Sequence, residues 1–183
     1  MSCYQNLDVA EAFRVFTGGA TVTVASVSKE GVSDVMTAAW NCPFDSSEII
    51  VVLSTTHTTT ENIYNTGKYV VAIPSCEQKN DILKVGALHG RECGDKFSAT
   101  GVPFELSEKF KLKVIPNCLA YFECELVDKD LLEKKGICLG RVVNLYVKEG
   151  LWNQSEHNFS NGAKLSLHHV TEDKFLSGGT EAK

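Results

Sequence analysis

A run of hydroxyl side chains follows an apolar segment in the first third of the chain. Residues 54–60 hold six serine or threonine residues and one histidine, and the run leads toward a helix that we expect to end at Gly67. Thr58 and Glu61 have the spacing of a capping box. Free N–H groups, the positive end of the helix dipole and hydroxyl donors meet at such a helix start, so the pattern predicts a phosphate site. The alternative is that these residues only cap the helix.

Two further segments have side chains suited to a ligand. Arg91 and Lys96 lie around two glycines in the segment 88–97, and such a loop can present two cations to an anion. An ordinary charged surface loop is the alternative. The segment Met36–Trp40 places small residues between a methionine and a tryptophan, which would let a flat ring lie against the backbone. The alternative is strand packing with Trp40 in the core.

Other kinds of chemistry lack their motifs. The histidines do not show the spacing of a helical metal site, and there is no Gly-x-Ser-x-Gly elbow and no Gly-x-Gly-x-x-Gly segment. The seven cysteines include no Cys-x-x-Cys pair, so we predict reduced thiols and no metal site. Cys42, close to Trp40, is interpreted as buried and unreactive. We predict no catalytic side chain and no Rossmann site.

Composition limits the class of protein. The chain has 183 residues, of which 43% are hydrophobic and 22% charged, and its net charge is -5. The length and the hydrophobic content predict one domain over 1–183, with a core at about 7–150 and a tail at 151–183. The negative charge disfavours nucleic acid as a partner. No apolar run approaches a membrane span, so we expect no membrane partner and a cytoplasmic protein.

The predicted elements are mostly strands. A helix is expected within 7–16, and two short helices after residues 58 and 75, the second of which begins with another capping box, formed by Ser75 and Gln78. The alternating segments 20–27 and 33–40 predict a hairpin, while the continuous apolar runs 49–53 and 69–73 indicate strands covered on both faces. Two longer strands are expected at 118–127 and 137–147. At least six strands with short helices favour a closed antiparallel barrel, because closure removes exposed sheet edges.

Taken in order, four segments resemble one family. They are 35–40, 51–63, 66–74 and 90–97, and the similarity spans roughly residues 19–147. The chain is similar to the flavin reductase family, whose members bind FMN in a split β-barrel and are usually homodimers. The resemblance therefore implies a mainly β fold with short helices, a closed antiparallel split β-barrel.

The resemblance also assigns site residues. The strand 36–40 would lie along the isoalloxazine edge, the hydroxyl run would hold the ribityl chain and the phosphate, and Lys96 would add a cation to the phosphate. Asp34 stands where the family often has asparagine, which places a carboxylate near the flavin. The predicted cofactor-binding residues are Asp34, Met36, Thr37, Ala38, Ala39, Trp40, Ser54, Thr55, Thr56, Thr59, Arg91 and Lys96.

The function implied is an FMN-binding oxidoreductase. It would pass electrons, with NAD(P)H as co-substrate, to flavin, ferric iron or a small redox acceptor, either a small molecule or a small redox protein. The alternative is a flavodoxin-like electron-transfer protein without its own nicotinamide activity. A third interpretation is a barrel with a structural or sensory role. The cofactor would supply the chemistry and the protein its binding and orientation.

Overall fold

The computed structural model describes residues 20–153, 155, 158–159, 166–171 and 173–177, so the predicted helix within 7–16 lies outside them. None of the helices in these segments is long and apolar enough to cross a membrane. The strands are β1 Val22–Val27, β2 Ser33–Ala38, β3 Asn41–Pro43, β4 Glu48–Val52, β5 Lys68–Ile73, β6 Glu105–Leu106, β7 Lys113–Val114, β8 Ala120–Leu126, β9 Ile137–Val147, β10 Trp152–Asn153, β11 Asn158–Phe159, β12 Leu167–Thr171 and β13 Lys174–Ser177. The helices are α1 Thr58–Thr66, a 3₁₀ turn at Cys76–Gln78, α2 Lys79–Gly86, α3 Gly90–Cys93, α4 Lys96–Thr100 and α5 Lys129–Lys135.

Seven strands form one antiparallel sheet in the order β2-β1-β5-β8-β9-β4-β3. Strands β2 and β3 are opposite edges of this sheet, although only Ala39 and Trp40 separate them in the sequence. The sheet must therefore curl until its edges approach. The Asn41 side chain donates to the Ala20 carbonyl across this junction at 2.9 Å. Within the described residues no ladder joins β2 to β3, so the fold is a curled, mainly β sheet with short helices, and barrel closure is not shown.

The predicted strands are present, and the hairpin of β1 and β2 is confirmed by the pairing of Thr23 with Thr37. Strand β5 lies inside the sheet between β1 and β8. Its alternate residues Tyr69 and Val71 enter one core cluster, and Val70 and Ala72 enter the other. The strand is thus covered on both faces, as its continuous apolar run predicts. In strand β4 only Val51 is buried, and the other four residues are half-buried.

The two predicted capping boxes have different outcomes. Helix α1 begins at Thr58 with His57 as its N-cap, so the prediction that Thr58 is the cap is wrong. The Glu61 side chain pairs instead with Arg91, 3.0 Å away. The second box is confirmed, because the Gln78 side chain accepts the Ser75 N–H at 2.7 Å. That box begins the 3₁₀ turn that precedes α2.

A buried carboxylate holds the segment before β7 against the sheet. Glu123 of β8 is 0% exposed and accepts from the Ser107 hydroxyl (2.7 Å), the N–H groups of Lys109 (2.8 Å) and Phe110 (2.7 Å) and the Asn144 amide (2.7 Å). Burial raises the pKa of Glu123, but the hydrogen bonds from Phe110, Asn144 and Ser107 lower it by more. The net pKa lies below its ordinary value of 4.5. The ionised form therefore stabilises the fold.

Glu123→Gln is expected to lower the free energy of unfolding by about 2–3 kcal/mol at neutral pH, because charge-assisted bonds are lost and an amide N–H faces other donors. The folded pKa lies below the unfolded one. The contribution is therefore complete above the unfolded pKa and disappears as the pH falls through the folded pKa. Urea unfolding at pH 7 and at about pH 3 checks this, with the exposed Glu125→Gln of the same strand as control. A gap between wild type and Glu123→Gln that stays constant over this range would contradict the account.

Candidate functional site

A long cleft opens where the end of β2, the start of α1 and the end of α2 meet. Its two parts, of about 300 Å³ and about 850 Å³, share Met36, Thr37, His57 and Gly86 and are therefore continuous. Both volumes lie within the range of small-molecule and cofactor sites. The smaller part is lined by polar and charged groups from β2, α1 and the segment 86–96. The larger part is lined mainly by apolar and small residues.

The hydroxyl run forms one wall of the cleft. Thr56 and Thr59 line its smaller part and Ser54 its larger part. The hydroxyls of Ser54 and Thr56 are hydrogen-bonded to each other at 2.9 Å. Thr55 instead faces a separate groove of about 190 Å³ beside α1 and α5, which it shares with Arg91. The first N–H groups of α1 have no partner within the helix, so this wall combines hydroxyl and backbone donors with the positive dipole end.

His57, which the sequence analysis did not select as a ligand, lies at the junction of the two parts. Its Nδ1 atom is buried and has no hydrogen-bond partner among the described residues. Burial lowers the pKa of His57, and the nearby His89 and Lys96 lower it further. The ring is therefore neutral at neutral pH. An uncharged, unpartnered nitrogen at a helix start is a group that a polar ligand can satisfy.

The floor of the smaller part contains a buried ion pair. The side chains of Asp34 and Lys96 are 2% and 4% exposed, and their Oδ1 and Nζ atoms are 3.3 Å apart. Lys96 also donates to the Val35 carbonyl at 2.9 Å, and the Thr59 hydroxyl donates to Asp34 Oδ2. The Asp34 carboxylate is thus buried and does not point into solvent. The predicted contacts of Lys96 and Thr59 with a phosphate stay predictions, since both groups bind Asp34 here.

Glycine allows the segment 86–96 to cover this ion pair. A Cβ atom on Gly90 would lie 2.5 Å from Asp34 Oδ1 and 3.0 Å from the Thr58 side chain. Real Cβ atoms do not approach so closely. Arg91 follows directly and lines the smaller part, but its guanidinium is 3.0 Å from Glu61 and both side chains are exposed. An exposed pair of this kind contributes little to stability.

The larger part is a broad slot beside the end of β2. Met36, Thr37, Ala38, Ala39 and Trp40 all line it, which brings these five predicted residues together. Trp40 is 52% exposed, so the alternative that placed it in the core is wrong. The lining also includes His169, Val170 and Phe175, which were not predicted from the sequence. These residues come from β12 and β13, where the chain shows no clear periodicity.

The described cysteines lie mostly away from the cleft and are free. Burial raises the pKa of Cys118 and of Cys138 to about 12, so both thiols are protonated. Cys42 is exposed on the edge strand β3, and the prediction that it is buried is wrong. The three-residue strand lies at the rim of the sheet, where β4 covers one side only. Within the described ranges no group of histidine, cysteine, aspartate and glutamate is arranged to hold a metal.

Comparison with known proteins agrees with the fold. The model of the flavin reductase like domain family matches residues 14–163, and the chain belongs to that family. It is 27% identical to the uncharacterized protein YddH of Escherichia coli (strain K12), over 98% of this chain and 97% of that protein.

Solved structures share the architecture. An FMN-binding domain of a flavin reductases-like enzyme from Shewanella baltica OS155 has a TM-score of 0.78 and 23% identity, covering 97% of this chain and 95% of that one. Flavoredoxin of Desulfovibrio vulgaris (Miyazaki F) has a TM-score of 0.75 and 19% identity, covering 90% and 89%. At these identities the likeness shows a common fold. The family predicted from the four sequence segments is confirmed.

Proposed function

We propose that the cleft binds FMN and that the protein is an oxidoreductase that takes electrons from NAD(P)H and passes them to flavin, ferric iron or a small redox acceptor. The observation that carries the proposal is the continuity of two unlike spaces. A polar pocket at a helix start opens directly into a broad slot lined by small and apolar residues. Such a cleft suits a ligand with a flat ring at one end and a phosphate at the other.

The described residues fit this ligand. The unpartnered Nδ1 atom of His57, the hydroxyl of Thr56 and the first N–H groups of α1 would hold the phosphate end. Ala38 and Ala39 would lie beside the ring, with Trp40 at its edge. Bound FMN would supply two-electron redox chemistry, and the protein its binding, orientation and electrostatics.

The proposal gives the described lining of the larger part a role in holding the cofactor. Among its described residues there is no carboxylate, lysine or arginine, and the two histidines are His57 and His169. The side chains here exclude water and position a ring, and they offer no acid and base pair. Thr37 contributes by fixing the backbone, because its hydroxyl donates to the Ile82 carbonyl of α2 at 2.7 Å.

A homodimer is part of the proposal. Among the described residues, three apolar side chains that line the cleft are exposed to solvent: Trp40 by 52%, Leu88 by 36% and Val170 by 43%. A second copy of the chain over the open side would cover them and enclose the ring. Light scattering at micromolar concentration tests this, since a monomer with FMN bound would contradict it. The closed split barrel and the cytoplasmic location also belong to this proposal.

Anaerobic reduction tests the proposed activity. Purified protein loaded with FMN is mixed with NADH or with NADPH, and the visible flavin absorbance is followed. We expect either NADH or NADPH to bleach the flavin absorbance. When an acceptor is added, that nicotinamide should be consumed over many turnovers. Bleaching by dithionite but by neither nicotinamide would favour the alternative, a flavodoxin-like electron-transfer protein without nicotinamide activity. A protein that takes up no flavin would overturn both.

A further inference from the structure

The carboxylate of Asp34 lies at the end of the cleft proposed for the phosphate. It lines the smaller part together with Thr56, His57 and Thr59. Its Oδ2 atom takes the Thr59 hydroxyl, and its Oδ1 atom is 3.3 Å from the Lys96 ammonium. Asp34 therefore accepts one hydrogen bond, from Thr59, and forms an ion pair with Lys96 in which Oδ1 makes no hydrogen bond to any described residue. A phosphate at this helix start would otherwise attract both groups.

The other charges of the smaller part do not restore a positive field. Arg91 is paired with Glu61 at 3.0 Å, and Glu92 adds a carboxylate to the lining. His57 is neutral because its pKa is lowered, first by burial. Each of the two permanent cations among the described lining residues thus faces an acidic side chain. A dianionic phosphate meets donors here but no uncompensated positive charge.

Burial strengthens the electrostatic effect of the Asp34 carboxylate on a ligand in the cleft. The residue is 2% exposed, and the backbone of Gly90 lies so close that a Cβ atom there would be 2.5 Å from Oδ1. The carboxylate can neither turn toward solvent nor be surrounded by water and salt. Charges in such places are screened much less than those on a surface.

We propose that Asp34 is a specificity-determining residue that lowers the preference of this cleft for FMN over riboflavin, so that flavins without the terminal phosphate are also ligands. The inference rests on the proposed flavin-binding function. Riboflavin shares the ring and the ribityl chain but lacks the phosphate, so the Asp34 charge acts mainly on the phosphorylated form. An asparagine at this position keeps the shape and one acceptor oxygen, and it leaves the Lys96 ammonium without a counterion.

The test compares two flavins on matched variants. Dissociation constants of FMN and riboflavin are measured by quenching of flavin fluorescence for wild type, Asp34→Asn and Asp130→Asn. For wild type we expect the two constants to lie within about tenfold of each other. In Asp34→Asn the preference for FMN should rise by about tenfold, the effect of one freed charge-assisted bond, with riboflavin binding nearly unchanged. Asp130→Asn removes a charge from a side chain that is 75% exposed and should leave the ratio unchanged.

The outcomes separate this inference from the function on which it rests. If both flavins bind and Asp34→Asn leaves their ratio unchanged, the inference is overturned and the proposed function stands. If neither flavin binds wild type, both fail. Should Asp34→Asn not fold, the wild-type ratio decides the matter. A preference for FMN of more than about tenfold would then contradict the inference, and constants within about tenfold of each other would support it.

Discussion

Gly136→Ala is expected to lower the free energy of unfolding by about 4 kcal/mol and to impair flavin binding as well. Gly136 ends helix α5 with φ at 68°, a conformation that disfavours a side chain. A Cβ atom there would lie 2.0 Å from the Leu53 carbonyl oxygen, a backbone atom that cannot turn away. The Leu53 N–H also donates to the Gly136 carbonyl at 2.7 Å. Any relief of the clash must therefore displace the chain just before Ser54.

Gly67→Ala is the matched control for this change. Gly67 ends helix α1 with φ at 71°, but a Cβ atom there meets nothing within 4 Å. This variant should lose only the conformational term of about 1–2 kcal/mol. Urea unfolding of both variants isolates the steric part, and FMN titration of the folded protein reports the position of the hydroxyl run. Equal losses of stability, or a Gly136→Ala protein with wild-type FMN affinity, would contradict the account.

Lys96→Met should cost about 3–5 kcal/mol, because it leaves the Asp34 carboxylate buried without its cation. The Val35 carbonyl also loses its donor at 2.9 Å. Methionine has similar length and is apolar, so little packing volume is lost. The expected measurement is a lower urea midpoint with an unchanged slope.

Lys113→Met provides the comparison for Lys96→Met. Lys113 is paired with Asp95 at 2.8 Å, but its side chain is 27% exposed. Its loss should cost about 1 kcal/mol, since partly exposed pairs contribute little. The double variant Lys96→Met with Asp34→Asn should recover part of the stability that Lys96→Met loses. A single Lys96→Met loss no larger than that of Lys113→Met would show that the buried pair is not required.

Much of the fold could be predicted because its signals are local. The apolar run at 69–73 and the alternation of β1 and β2 depend on a few neighbouring residues, and both appear as expected. The sheet edges could not be derived in this way. They approach each other because Ala39 and Trp40 connect opposite ends of the strand order, which is a property of the whole topology.

The candidate site, too, could be predicted where its signals are local and not where it depends on the tertiary fold. The hydroxyl run and the segment 36–40 have residue types suited to a ligand. The structure places them along one cleft, apart from Thr55 and Thr60, which line the separate groove. The pairing of Asp34 with Lys96 joins residues that are far apart in the sequence, so spacing could not indicate it. Phe175 and its neighbours reach the slot from a hairpin without clear periodicity. His57 lies within a run of serine and threonine residues, and no motif in the sequence distinguishes it as a ligand.

Equilibrium titration with FMN tests the central claim most directly. Trp40 borders the proposed ring position, so its fluorescence should be quenched as FMN binds, and the flavin emission should change in parallel. We expect one site per chain with a dissociation constant in the low micromolar range or below, about -8 kcal/mol. Ala39→Trp, at a half-buried position of the slot lining, should abolish the response while the protein stays folded. No change in either signal up to about 1 mM FMN, or an undiminished response in Ala39→Trp, would contradict the account.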